Sequence, residues 1–306
     1  MESSTIPVIL DTDIGTDIDD TWALAMLLKS PELDLRLVTT ATGDTTYRAR
    51  LAARILDVAG RSDVPVAAGR CFGEYVSAQS SWVSCYDLTA YKGGFTTNAA
   101  ESIVSTIMDS DNPVTVIAIG PLTNISDALK LEPRIAQRAR FTGMHGSLKR
   151  RHDNAVGAIA EWNVVGDIQS AQEVFAAAWP KTITPLDTCG SVRLGAEALA
   201  QLRGSKSPLI QCVLENYRIW LDHYSRTTTD SEWLAGQPDQ HSSILFDTVA
   251  IHLAYSRQFL RVETVNLSVT DDGYTVADEG GQPVDVATEW EDLPGYREFL
   301  LGRLLS

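Results

Sequence analysis

Basic residues are scarce in this chain. Only 25 Lys and Arg stand against 40 Asp and Glu in 306 residues, a formal charge of −15. A nucleic-acid groove needs clustered cations along the phosphate track, and none is visible, so nucleic acid is not an expected partner. The same acidity repels an anionic lipid surface. No run of about 18 apolar residues occurs, so no helical membrane span is expected. Cysteine is sparse too. Cys71, Cys85, Cys189 and Cys212 contain no Cys-x-x-Cys pair and are too thinly spread for a disulfide scaffold. Reduced thiols in a cytoplasmic setting are the expectation. Residues 1–5 carry neither a basic stretch nor an apolar one, so no secretory signal is expected there. This charge balance best tolerates a metal cation or a neutral small molecule as partner.

What is present reads as one globular domain spanning residues 1–306. Hydrophobic residues make up 44% and charged residues 21%, near the average for folded domains. A chain of this length buries roughly 75% of its unfolded surface, so it needs no covalent staple. Ile6 to Leu10 is a continuous apolar run, the pattern of a strand buried on both faces. Thr21 to Lys29 and Tyr47 to Ala59 have helical apolar spacing, with Leu35 to Thr40 as a strand between them. From Gly69 to Phe95 no period is clear, and a long loop is predicted. Strand–helix alternation resumes beyond it, with strands at Val114 to Ile119, Ala139 to Met144 and Thr182 to Leu186. Short alternating stretches after Gln258 predict a small antiparallel addition, closed by a helix over Leu293 to Leu305. The pattern predicts an α/β fold with a mostly parallel, doubly wound, Rossmann-like sheet. Ligands of such sheets bind beyond the carboxyl ends of the strands.

At the end of the first strand lies Asp11-Thr12-Asp13-Ile14-Gly15-Thr16-Asp17-Ile18-Asp19-Asp20, five carboxylates in ten residues. Capping of a helix N-terminus accounts for one or two of them. Five crowded carboxylates repel one another and raise each other's pKa. A hard divalent cation removes the conflict. An EF-hand loop also opens Asp-x-Asp, but it requires Glu at its twelfth position, and counting from Asp11 that position is Trp22. A Mg2+-dependent phosphatase of the haloacid dehalogenase type also places Asp-x-Asp after a buried strand. In that reading Asp11 attacks phosphorus and Asp13 acts as acid, while Asp19 and Asp20 go unexplained.

The chain resembles the inosine–uridine type nucleoside hydrolases. Asp11-Thr12-Asp13, Gly15 and the pair Asp19-Asp20 match that family's opening motif, with two extra residues before the pair. Thr39 to Asp44, Gly120-Pro121-Leu122-Thr123-Asn124, Ala160-Glu161-Trp162-Asn163 with Asp167, and Phe246-Asp247 follow in the family's order. The resemblance implies Ca2+ held by Asp13, Asp20, Asp247 and the Thr123 carbonyl. Asp17 is the alternative first ligand, with Asp13 favoured. It further implies Asp19 as general base, activating a water held by the metal. Asp44, Asn154, Glu161 and Asn163 would contact the ribose of a small-molecule ribonucleoside. A homodimer or homotetramer is also implied.

Two departures stand out. Asp44 replaces the usual Asn, turning a donor into an acceptor. Phe246 replaces the usual His ahead of the late Asp, so the customary proton donor to the departing base is missing. His223 and His241 are the nearby candidates in sequence, and ring stacking on Phe246 is the alternative. With that acid absent, a non-catalytic nucleoside-binding protein is a second reading. Tyr217, Trp220 and Tyr224 share one helical face, either as core or as a stacking wall, with Trp233 close in sequence. Trp82, Tyr86 and Tyr91 in the long loop either close over a substrate or anchor the loop.

Overall fold

A computed structural model of the chain describes residues 5–73, 75–227 and 240–306. Trp233 lies outside the described residues. The apolar run at the N-terminus is the centre of a sheet, and the alternation of its side chains explains why both faces are covered. In strand β1 (Ile6–Thr12), Val8 and Leu10 enter one hydrophobic cluster while Ile9 enters the other. β1 pairs in parallel with β2 (Leu33–Thr40) on one side and, across three intervening segments, with β5 (Val114–Ala118) on the other.

The described residues form one ten-stranded sheet ordered β4-β3-β2-β1-β5-β6-β7-β10-β8-β9. Here β3 is Val66–Ala68, β4 Phe95–Thr96, β6 Ala139–Met144 and β7 Lys181–Thr184. β8 is Leu260–Val269, β9 Thr275–Ala277 and β10 Gln282–Trp290. β10 runs parallel to β7, so the C-terminal strands continue the main sheet, and only β8 and β9 pair antiparallel. The helices Asp19–Leu28, Thr45–Val58, Pro208–Thr227 and Leu293–Leu305 cover one face. Ala99–Met108, Thr123–Leu131 and Ile168–Ala176 cover the other. Among the described residues no helix is long and apolar enough to cross a membrane.

Two local readings change. A helix at Ala196–Arg203 was not expected. The segment from Gly69 to Phe95 carries a short helix at Ser80–Val83 and a 3-10 turn at Leu88–Ala90. Its aromatics anchor it to the body. The Trp82 indole donates to Glu215 at 3.1 Å, and the Tyr91 hydroxyl donates to the Val64 carbonyl at 2.6 Å. Tyr86 reaches the Asp57 carboxylate.

The strand order reverses direction at β1, with sequence-neighbour β2 on one side and β5 on the other. The crevice above such a reversal is where an open α/β sheet accepts ligands. The acidic turn leaves β1 at that point.

Candidate active site

The turn is held from below. Asp11 is buried, accepts from Thr39 and from the Asn124 amide at 2.8 Å, and burial pushes its carboxyl up to about 7. The Thr12 hydroxyl donates to Asp20 and receives the Ile14 N–H at 3.1 Å. Gly15, at φ +113°, makes the reversal, and a Cβ there would stand 2.7 Å from Leu51 and Tyr47. The Arg48 guanidinium donates to the carbonyls of Asp13 and Ile14, to the Thr42 carbonyl at 2.8 Å and to the Thr16 hydroxyl at 3.1 Å. From the far side, the Trp220 indole donates to the Thr16 carbonyl at 3.1 Å.

Asp19 and Asp20 are the first residues of Asp19–Leu28. Asp247 stands at the N-cap of the helix Thr248–Leu253. The three come from opposite ends of the sequence, yet carboxylate oxygens of Asp19, Asp20 and Asp247 lie within 4.8 Å of one another, all buried. Asp13 lies against Gly120: a Cβ at Gly120 would sit 2.8 Å from the Asp13 nitrogen and from its Oδ1. That glycine permits the β5 end to approach the turn.

These acids line a cavity of about 410 Å³. Asp13, Asp17, Asp19, Asp20, Asp247 and Glu161 all contribute to its walls. Burial raises the pKa of each, and mutual repulsion adds to it for Asp17, Asp19, Asp20, Asp247 and Glu161. Asp17 rises to about 6. Asp19, Asp20 and Asp247 rise well above the usual carboxylate range. Burial also raises Asp13, while Arg48 opposes the rise. The donors of the Asp19, Asp20 and Asp247 cluster are all carboxylates, so that set suits a hard, oxygen-seeking cation.

In the same wall, Glu161 caps the short helix Trp162–Val165. It accepts from the backbone N–H groups of Asn163 at 2.7 Å, Gly146 at 3.1 Å and Val164 at 3.3 Å, yet burial still lifts it to about 7. The Asn163 amide donates to the carbonyls of Met144 at 3.0 Å and Ile119 at 3.3 Å, which fixes its orientation. Phe246 forms another part of the wall.

Other sequence-predicted residues are placed elsewhere. Asp44 is exposed, and its carboxylate caps the helix Thr45–Val58 by accepting the Tyr47 N–H at 2.9 Å. Asn154 is exposed at φ 63° and is not among the wall residues. Thr123 is buried, and its hydroxyl donates to Asp167 at 2.7 Å. His223 packs its ring edge-on against Tyr224 at 5.3 Å, while His241 bonds the Ser242 carbonyl at 3.0 Å; neither lines the cavity. Trp220 is buried and stacked on Tyr217 at 6.0 Å, and Trp82 belongs to a separate groove.

Tyr224, of the aromatic face read as core or stacking wall, lines the cavity, whereas sequence reasoning missed Arg48 and His152. Arg48, Ala52 and Ile55 share a helix face by their spacing, so a cation on an apolar stripe was the available signal for Arg48. His152 lies two positions before Asn154, but nothing in that stretch announces the turn that carries it into the wall.

Carboxylates gathered beyond the reversal of a parallel sheet, around a cavity sized for a small molecule, define an α/β enzyme that works through buried acids. The chain belongs to the inosine-uridine preferring nucleoside hydrolase family, whose sequence profile matches residues 8–295, and it is a hydrolase. A pyrimidine-specific ribonucleoside hydrolase of Shewanella sp. (strain MR-4) is 32% identical, over 74% of this chain and 72% of its own. Uridine nucleosidase 1 of Arabidopsis thaliana is 26% identical over 98% of this chain and 93% of its own. Among solved structures, a plant nucleoside hydrolase superposes with a TM-score of 0.81 at 22% identity, covering 99% of this chain and all of the other. The inosine-uridine preferring nucleoside hydrolase of Bacillus anthracis gives 0.75 at 19% identity, covering 98% and 99%. The last two likenesses speak to the fold alone.

The phosphatase reading loses its nucleophile. It needs Asp11 exposed to substrate, whereas Asp11 has no accessible surface and is committed to Thr39 and Asn124.

Proposed function

We propose that the protein cleaves the N-glycosidic bond of a ribonucleoside with Ca2+ bound, giving ribose and free nucleobase. The observation that carries the reading is the convergence of Asp19, Asp20 and Asp247 within 4.8 Å. Three buried carboxylates at that separation repel one another unless a cation joins them. Asp13, Asp20 and Asp247 would hold it, with the Thr123 carbonyl as the further ligand that the family resemblance implies. When bound, Ca2+ orients the ribose hydroxyls and makes a nearby water a better acid.

The remaining work falls to side chains. Asp19, beside Asp20 in the cavity wall, accepts the proton of the attacking water. Glu161 and Asn163, both buried in the cavity wall, meet ribose hydroxyls. The carboxylates around the sugar stabilise the positive charge that grows on its ring as the nucleobase departs. Phe246 offers its ring to the nucleobase. Asp17 adds negative charge at the same wall.

The reading extends to a reduced cytoplasmic setting, supported by four cysteines that form no disulfide, and to a homodimer or homotetramer, as the family resemblance implies. Incubating the protein and Ca2+ with a panel containing uridine, cytidine, inosine and phosphomonoesters, with assays for ribose and phosphate, tests it. Ribose release without phosphate supports the reading. Phosphate release, or tight nucleoside binding with no ribose, overturns it.

A further inference from the structure

Phe246 supplies no proton, so the departing nucleobase needs another donor. The chain has five histidines. One of them, His152, lines the acidic cavity. Its ring stands edge-on to Phe246 with centroids 5.9 Å apart and planes at 81°. The imidazole therefore borders the space beside the aromatic wall of the cavity.

The backbone presenting it is unusual. His152 opens a 3-10 turn, His152–Asn154, in which Asp153 and Asn154 both have positive φ, 51° and 63°. Asp and Asn tolerate the left-handed region better than other side chains, but two such residues in succession persist where the surroundings hold them. The enforcement is visible. The Asp153 N–H donates to the Gly190 carbonyl at 2.8 Å, and Arg193 donates to the Asp153 carboxylate at 3.1 Å. Arg150 donates to the Asn154 carbonyl at 3.1 Å. A pinned turn that aims one imidazole into the cavity is a functional placement.

Apart from the carboxyl groups, Tyr224 is the other wall residue with a titratable donor. Burial lifts its hydroxyl to about 12, and it lies 3.4 Å from the Thr16 carbonyl, so it is the poorer acid.

We propose that His152 is a catalytic residue which donates a proton to the departing nucleobase, taking the part that Phe246 cannot. The inference rests on the nucleoside-cleaving reading above. The C1′–N bond breaks with its electron pair passing to the nucleobase, and the imidazolium proton of His152 moves onto that nucleobase. Water gives its hydroxyl to C1′ and its proton to Asp19. Transfer of that proton through solvent back to the imidazole resets the site, so the net reaction consumes one water.

The test compares two leaving groups. 4-Nitrophenyl β-D-riboside releases a stable anion and needs no acid, whereas uridine and inosine do. His152→Gln should lower kcat/KM on the better natural nucleoside about 100-fold and change 4-nitrophenyl riboside turnover by less than about threefold. His152→Asn is carried alongside, so that a folding defect in one variant does not decide the matter. Equal losses on both substrate types in both variants, or no loss on either, would overturn the proposal. If the unmodified protein cleaves 4-nitrophenyl riboside and a nucleoside while the variants show no selectivity, only His152's role fails. If it cleaves neither, the nucleoside-cleaving reading falls and this one with it.

Discussion

Arg48 grips the acidic turn by its backbone: its guanidinium donates to the Asp13 carbonyl as well as to Ile14, Thr42 and Thr16. The side chain is about as buried as any in the protein, at 1% exposure. Its charge also opposes the burial-driven rise in the Asp13 and Asp20 pKa values. One cation thus shapes the loop and partly balances it.

Arg48→Met removes those donors and leaves buried carbonyls unpaired. The expected cost is about 3–5 kcal/mol of stability, read as a lower urea midpoint. Arg48→Lys keeps the charge but loses the fork, and should recover only part of it. A variant as stable as the parent would show that the turn holds itself.

Asp19→Asn should separate chemistry from stability. Proton acceptance is lost, so kcat should fall about 100-fold or more. The same change removes one member of a repelling cluster, so the metal-free protein should melt at the same temperature or higher. Steady-state kinetics and thermal unfolding in a chelator check the two halves. Full activity would remove Asp19 from its assigned role.

Asp11 and Glu161 contribute to the pH response of the metal-free protein, and the raised Asp13, Asp17, Asp19, Asp20 and Asp247 act in the same direction. Burial raises Asp11 and Glu161 to about 7, from ordinary values of 3.8 and 4.5. Between the ordinary and raised values the folded chain holds more protons than the unfolded one, so stability falls as pH rises through that window. The melting temperature in chelator should therefore drop between about pH 5 and about pH 8. Added Ca2+ should restore it most at the upper end, where binding no longer has to displace protons. A melting temperature that climbs with pH in chelator would contradict these assignments.

Gly120→Ala probes the close approach of β5 to the turn. The new Cβ would stand 2.8 Å from the Asp13 nitrogen and Oδ1, so either Asp13 or the strand end must move. Overpacking of this kind costs about 1–3 kcal/mol. Ca2+ affinity by calorimetry should weaken together with stability. A loss of stability with unchanged affinity would place Asp13 outside the metal set.

The central strands were legible because a strand buried on both faces has no polar alternation, as Ile6 to Leu10 shows. The acidic turn was legible because five carboxylates in ten residues have no ordinary structural use. Asp44 caps a helix in the structure, a use that an Asp at a strand end serves as readily as ligand binding, and sequence cannot distinguish the two. The parallel pairing of β10 with β7 was hidden because alternating residues fit either strand direction. His152 and Arg48 were hidden for a shared reason. Their importance comes from what surrounds them in space, a pinned left-handed turn in one case and backbone carbonyls from a distant loop in the other.

Asp20 lies on the first helix and is tied to the first strand through Thr12, and Asp247 caps a helix that follows seven of the ten strands in sequence. No fragment ending before Asp247 holds both halves of the carboxylate cluster. A growing chain would therefore carry its acids apart and uncompressed until its late helix docks, and the complete cation grip would mark finished folding rather than guide its first steps.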